Sequence, residues 1–467
     1  MDKRGWLGHA GAGELLRLAW PFILSNGCWT MQLAFNRVLL SRAGCDGIGA
    51  VTVGTMLYWT PVCLLSNVAA YASILVAQYL GSGQLQRVGP AVWQGIHFSL
   101  AAGLAFLGLV PLAGPLVALA GHNPDLRALE AYYFGQLGFA ALPTLVAAAV
   151  NSFFAGRGDS RTVLFVNGTG LAVNCVLAYA FIFGCWGFPA WGIGGAGLAT
   201  TIGSLASALL GLALMLRPCH NATYHTWSGW QLDLALMRRL LRFGFPAGLM
   251  VALDYFAFAL FLLLVGRLGP VELAATSIAF TLNLIPILPV LGLSQAVAVL
   301  VGRRLGEGRP ELARRTTWTG LCVAMSYTAG IAIMLCTIPE VLAGAFHVEG
   351  GTTSWGDVMR HLSVLLRFVA VYSLFDCLTY VLSSALRGAG DTRFVTAAAL
   401  GLSWPVMVLP SWLSAHFGWG LYWPWTFASL YVVLLSLTVL ARFRQGRWQS
   451  VRVIEGISVV PLTPSAA

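Results

Sequence analysis

Two carboxylates stand where the chain otherwise carries almost no charge. Asp254 lies in "GLMVALDYFAFALF" and Asp376 in "AVYSLFDCLTYVLSSALRG". A carboxylate in the middle of a membrane helix costs roughly 2.5–3.5 kcal/mol on insertion scales. Such a group faces a wet cavity or a partner, or it carries a proton. One that exchanges a proton for a bound cation has the chemistry of a coupled antiporter. A structural hydrogen-bond network would also account for a single buried acid, but two in the same half of the chain favour ion handling. Tyr372 and Tyr380 stand one helical turn before and after Asp376, so the three share a face. A tyrosine ring there could help hold a cation, or pack with its hydroxyl satisfied. Tyr255 follows Asp254 directly. Asn36, Asn174 and Asn283 are amides inside apolar runs. An amide in a membrane helix either bonds a neighbouring helix or meets a ligand.

The elements that would position these residues follow from composition. The 467 residues are 58% hydrophobic and only 9% charged, far below the roughly 25% charged residues of soluble chains. Water is therefore not the main solvent. Twelve apolar runs, from 15–40 to 420–442, are long enough to cross a bilayer as helices. No soluble domain is left over, and the opening "MDKRGWLGHAGAGE" has no cleavable signal pattern. Nine cysteines are scattered without a CxxC pair, which argues against a disulfide framework or a zinc site. The net charge of +10 gathers on alternate loops, among them those with Arg157, Arg238, Arg303 and Arg387. That is the positive-inside pattern. It puts both termini in the cytoplasm and excludes a nucleic-acid partner as the cause of the charge. Tryptophans such as Trp186, Trp191, Trp419, Trp423 and Trp425 fall near span ends and read as interfacial anchors.

The chain repeats itself. "LLRLAWP" ending at Pro21 matches "LLRFGFP" ending at Pro246, and "AQYLGSG" matches "GRRLGEG". "GDSR" from Gly158 matches "GDTR" from Gly390. The Arg-Gly-Asp at 157–159 is thus one copy of a cytoplasmic turn, in which glycine allows the turn and Asp caps the next helix, and not an adhesion motif. Two six-helix units of the same orientation predict an all-α membrane protein with a pseudo-two-fold axis along the membrane normal. The expected division is a first lobe over 1–216, a cytoplasmic linker over 217–238, a second lobe over 239–443 and a cytoplasmic tail over 444–467. Pro21, Pro246, Pro286 and Pro289 interrupt helices and allow bending.

Taken together, the paired openings, the "VGRRLGEG" loop and the paired "AGRGDSRT" and "LRGAGDTR" loops resemble the multidrug and toxic compound extrusion (MATE) family, over nearly the whole chain. The NorM-type branch is the most similar. It carries an acid eight residues after the seventh-helix proline, here Asp254, and one eleven residues before the tenth-helix arginine, here Asp376, with a tyrosine four residues earlier, here Tyr372. The resemblance implies exchange of sodium ions or protons for organic cations, drugs or toxic metabolites. Asp254, Asp376 and Tyr372 would take the coupling cation, with Asp254 and Asp376 as possible sodium ligands. Asn36, Asn174, Asn283, Tyr380 and Tyr255 are candidates for the substrate cleft. It further implies a monomer in a bacterial inner membrane, small organic substrates, no covalent cofactor and no enzymatic activity. One departure stands out: Asn36 occupies the place of the family's first-helix acid, followed by Arg37, so coupling should rest on the second lobe. Arg37 is expected to snorkel outward. A lipid-linked saccharide flippase is the alternative, but it needs more cations in its groove than Arg37 and Arg367. A membrane-embedded enzyme would lack any accompanying catalytic motif.

Overall fold

The computed structural model describes residues 11–43, 48–118, 124–344, 346, 355–451 and 453–455. Residues 1–10 of the opening and 452 and 456–467 of the expected tail lie outside these residues. Among the described residues the chain is helical, without strands. In order it runs α1 (Ala12–Arg42), α2 (Ile48–Ala70), α3 (Ala72–Gly81), α4 (Val88–Leu107), α5 (Ala113–Ala118), α6 (Pro124–Arg157), α7 (Ser160–Phe183) and α8 (Ile193–Met215). A short α9 (Pro218–Tyr224) leads to α10 (Leu234–Gly266), α11 (Pro270–Gly306), α12 (Pro310–Thr337), α13 (Pro339–Gly344) and α14 (Trp355–Ala389). The chain closes with α15 (Thr392–Leu402), α16 (Leu409–His416) and α17 (Tyr422–Arg444), a π-helical turn over Ser403–Val408 joining α15 to α16.

Eleven helices among the described residues are long and apolar enough to cross a membrane, one fewer than the sequence suggested. The run expected at 15–40 is α1, a continuous helix of 31 residues. It is long enough, but Gln32, Asn36 and Arg37 make it too polar to count with the others. The stretch expected to link the halves is partly helix: α9 lies within it, and α10 begins at Leu234, where Asp233 caps its first turn through the amides of Ala235 and Leu236.

The core explains the shape. One large cluster mixes both halves of the sequence, with Leu15, Val76 and Phe154 against Leu240, Val297 and Ala385. It lies toward the end that carries the Arg157 and Arg387 turns. At the opposite end the core splits. Leu40, Tyr58, Phe106 and Tyr133 pack within the first half, and Phe261, Leu282, Leu362 and Trp425 within the second. The halves therefore share one core at the basic end and keep separate cores toward the other. Two seams join them. Gly292 of α11 lies against the backbone of Ile23 in α1, and Gln295 reaches Asn26 at 3.4 Å. On the other side Gly244 and Gly248 of α10 admit the backbone of Val68 and Leu64 in α2.

Prolines leave carbonyls free, and the fold fills one such gap visibly. Pro289 has no N–H for Ile285, whose carbonyl accepts from the Tyr327 hydroxyl at 2.9 Å. The paired turns differ. Both bend at a glycine with positive φ, +81° at Gly158 and +93° at Gly390, as only glycine does cheaply. Asp159 caps α7 as expected, accepting from the Thr162 amide at 3.2 Å and its hydroxyl at 2.7 Å. Asp391 makes no cap bond. It is buried and takes two N–H groups of Arg442, at 2.7 and 3.3 Å.

Candidate functional site

Helical periodicity sets the site on α14. Tyr372, Asp376 and Tyr380 follow one another at single turns, and Arg387, eleven residues beyond Asp376, returns to the same face after about three turns. Asp254 faces this stripe from α10. It lies in the electrostatic field of Arg387, and Asp376 lies in the field of Asp254. Both carboxylates are half-buried. Neither has a hydrogen-bond or ion-pair partner among the described residues, so both remain available to water, a proton or a cation. Tyr372, Tyr380, Tyr255 and Tyr431 each lie in the field of one or both acids. Two carboxylates in one field repel when both are ionised, and a single cation or proton between them relieves that repulsion.

Arg387 counted in the sequence as one of the loop arginines. The structure instead makes it part of the site: its guanidinium bonds Ser384 at 2.9 Å, and its carbonyl accepts from Tyr71, between α2 and α3, at 3.2 Å. Its spacing from Asp376 on one helix face was the available signal. Tyr372 is buried at 7% exposure, its hydroxyl has no partner, and its ring stands 6.3 Å from Trp425. Asn283 is also buried with its side-chain carbonyl unpartnered. Among the described residues no three His, Cys, Asp or Glu side chains cluster as metal ligands. A sodium ion held by Asp254 and Asp376 would thus draw its remaining oxygens from tyrosine hydroxyls, backbone or water, which suits a hard cation.

The first half brings together a different set. Asn36 and Asn174 both reach the Thr200 hydroxyl, at 3.4 and 3.3 Å. That hydroxyl donates to the Ala196 carbonyl at 2.9 Å, so it must accept from both amides. The side-chain carbonyls of Asn36 and Asn174 are left buried and unpartnered. Nothing in this cluster titrates. Thr200 was not foreseen, because a threonine in an apolar run carries no distinguishing signal. Arg37 lies on an exposed stripe with Ala34, Val38 and Ser41, one position round the helix from the buried Asn36.

The aromatic reading needs one correction. Trp186, Trp191, Trp419 and Trp423 are exposed, but Trp425 is an inner core residue at 1% exposure, stacked on Phe280 and bonded to the Thr276 hydroxyl. It stands in the first turn of α17, on its inward face. Trp29 and Trp59 stack at 4.4 Å between α1 and α2. The Trp59 indole N–H lies against the Tyr255 hydroxyl of α10. An aromatic wall thus stands beside Asp254. Glu130, in the second turn of α6, is fully buried.

Comparison with known proteins places this geometry. A probable multidrug resistance protein NorM of Bradyrhizobium diazoefficiens is 28% identical over 439 residues, covering 92% of each chain. A multidrug resistance protein NorM of Burkholderia vietnamiensis is 29% identical over 437 residues, covering 93% of each. A crystal structure of a MATE protein in the straight conformation superposes with a TM-score of 0.84 at 16% identity, covering 97% of this chain and 100% of that one. The MatE family model matches residues 21–180 and again 246–413. The two matches open at Pro21 and Pro246, the prolines that mark the internal repeat. With most of its length so matched, the chain belongs to the MatE family.

Proposed function

We propose that the chain is a cation-coupled multidrug efflux antiporter, exchanging sodium ions or protons for small organic cations or toxic metabolites. The names of its relatives and the acid pair support this reading. In it α1 is the twelfth span, and the chain forms two six-helix lobes, 1–216 and 239–443, about a pseudo-two-fold axis along the membrane normal. The linker 217–238 and the tail 444–467 are cytoplasmic, as are both termini. The protein works as a monomer in a bacterial inner membrane and catalyses no covalent reaction.

Asp254 and Asp376 carry the coupling, with Tyr372 and Tyr380 lining the cation's place. While both acids are ionised they attract a cationic drug that rests against Trp29, Trp59 and Tyr255. A proton or sodium ion entering between them cancels that attraction. Arg387 then loses the charge it faced, and the contacts of α14 with Tyr71 become free to change. The drug leaves outward, and the lobes rock about the basic end. Asn36, Asn174 and Asn283 offer hydrogen-bond acceptors to the substrate.

The observation that carries the proposal is the pair of acids sharing one field without a protein partner. Ethidium efflux from proteoliposomes tests it, under an imposed sodium gradient and then a pH gradient. Wild-type efflux lost in Asp376→Asn is the expected result. Efflux that survives the substitution moves the coupling elsewhere, and no wild-type efflux under either gradient sinks the antiport reading.

A further inference from the structure

The basic end carries a groove that the transport site does not use. Arg238, Leu241, Arg242, Phe245 and Pro246 of α10 line it together with Arg393 at the start of α15, around a volume of about 700 Å³. The α10 residues recur at helical spacing, so they form one stripe. All three arginines are exposed, and so are Leu241 and Phe245, the latter at 49%.

The charge here is not balanced within the protein. Asp391, two residues from Arg393, is taken by Arg442, and Glu455 is taken by Arg239. Asp233 caps α10 and faces Arg87 at 3.9 Å. Glu14 pairs with Arg304, and Glu307 with Arg303. Arg238, Arg242 and Arg393 have no carboxylate partner among the described residues. Three guanidinium groups around one groove form a site for a phosphate group, which arginine meets with two N–H donors at once.

The depth of the groove identifies the source of that phosphate. α10 has 33 residues, so it is roughly 50 Å long, well beyond the ~30 Å hydrocarbon core. Its first turns therefore cross the headgroup layer. Arg238 and Arg242 stand at that level, while Phe245 and Pro246, a further turn along, reach the acyl chains. We propose that this groove binds the headgroup of an anionic phospholipid, with the phosphodiester among Arg238, Arg242 and Arg393 and the start of an acyl chain over Leu241, Phe245 and Pro246. The site joins α10, which carries Asp254, to α15, whose Thr396 hydroxyl donates to the Pro246 carbonyl at 2.7 Å. A lipid there ties the proline bend of α10 to the membrane.

Native mass spectrometry of the full chain tests this, released from micelles doped with phosphatidylglycerol, with phosphatidylcholine or with neither plus inorganic phosphate. The variant Arg238→Gln/Arg242→Gln/Arg393→Gln is compared with Arg309→Gln/Arg314→Gln/Arg444→Gln, which removes the same charge from exposed positions outside the groove. Wild type and the second variant should retain phosphatidylglycerol in preference to phosphatidylcholine, and the first variant should lose about tenfold or more in affinity, the equivalent of about 1.4 kcal/mol. Equal retention by the two variants overturns the proposal. So does inorganic phosphate that binds wild type but not the first variant while phosphatidylglycerol shows no preference, because the groove is then a site for a soluble anion. Arg242→Gln alone gives the same comparison if the triple variant fails to fold.

Discussion

The Tyr327 hydroxyl of α12 donates to the Ile285 carbonyl of α11 at 2.9 Å, the carbonyl that Pro289 leaves without its helical partner. A proline bend in a long helix is thus held by a neighbouring helix through one bond. Tyr327→Phe keeps the ring and removes the bond. It should destabilise the protein by about 1 kcal/mol, the usual worth of one such bond, and let α11 bend more freely. Denaturant unfolding of the purified protein checks the first outcome. Unchanged stability would mean that water replaces the hydroxyl at no cost.

The paired turns make opposite demands on their aspartates. Asp391 is buried at 8% exposure against Arg442, which also lies over the Phe394 ring at 4.6 Å. Arg442→Ala leaves a buried carboxylate without its cation and should cost about 3 kcal/mol. Asp159 only caps α7, so Asp159→Ala should cost about 1 kcal/mol. Equal losses in the two variants would show that the turns are equivalent after all.

The basic end closes because two glycines let backbones touch. A Cβ at Gly81 would strike the Arg303 carbonyl, and one at Gly306 the Gln78 carbonyl. Gln78 also bonds the Gly388 carbonyl at 2.9 Å, across the two halves. Gly306→Ala should therefore push α3 and α11 apart and favour a conformer open at this end. Spin labels at Ser82→Cys and Arg309→Cys in a cysteine-free background should move to longer distances. An unchanged distribution would place the hinge of the closure elsewhere.

His220 belongs to α9, outside the spans. Burial and the nearby Arg157 guanidinium hold its imidazole below its ordinary value of 6.5. The folded form keeps the ring neutral, while the unfolded chain takes up a proton near 6.5. Stability is therefore full above that pH and declines as pH falls through it. His220→Gln should flatten the unfolding midpoint between pH 7 and 5. A profile identical to wild type would assign the acid sensitivity to other groups.

The sequence exposed those parts of the site that break a rule of their surroundings. Asp254 and Asp376 were visible because a carboxylate in an apolar helix is costly, and Tyr372 and Tyr380 because they stand at one turn from Asp376. Arg387 was harder, since an arginine near a helix end looks like any other topology marker; only the return of the helix face to Asp376 distinguishes it. Thr200 was invisible, because a hydroxyl that bonds its own helix leaves no trace in hydropathy. Trp425 was misplaced for a related reason. Proximity to a span end says nothing about which way the ring turns, and here Thr276 and Phe280 draw it inward. The halves were legible from the repeat at Pro21 and Pro246, while α1 is the most polar of the long helices and so the span that hydropathy marks least.

The proposed coupling through the second half leaves the first half another task. Asn36 and Asn174 converge on Thr200 and keep two buried carbonyls free, yet none of the three can take or release a proton at physiological pH. In the proposed mechanism they accept hydrogen bonds from a substrate. Asn36→Ala and Asn174→Ala should weaken drug binding, raising KM several-fold (about 1 kcal/mol per bond lost), with the sodium or pH dependence of efflux unchanged. Asp376→Asn should do the reverse, abolishing the gradient dependence while leaving equilibrium binding of a neutral substrate intact. Measured in the same proteoliposomes, the two responses separate. If either asparagine variant instead removes the gradient dependence, a non-titrating cluster takes part in coupling, and the coupling cation must be one that neutral oxygens can bind, which points to sodium rather than a proton.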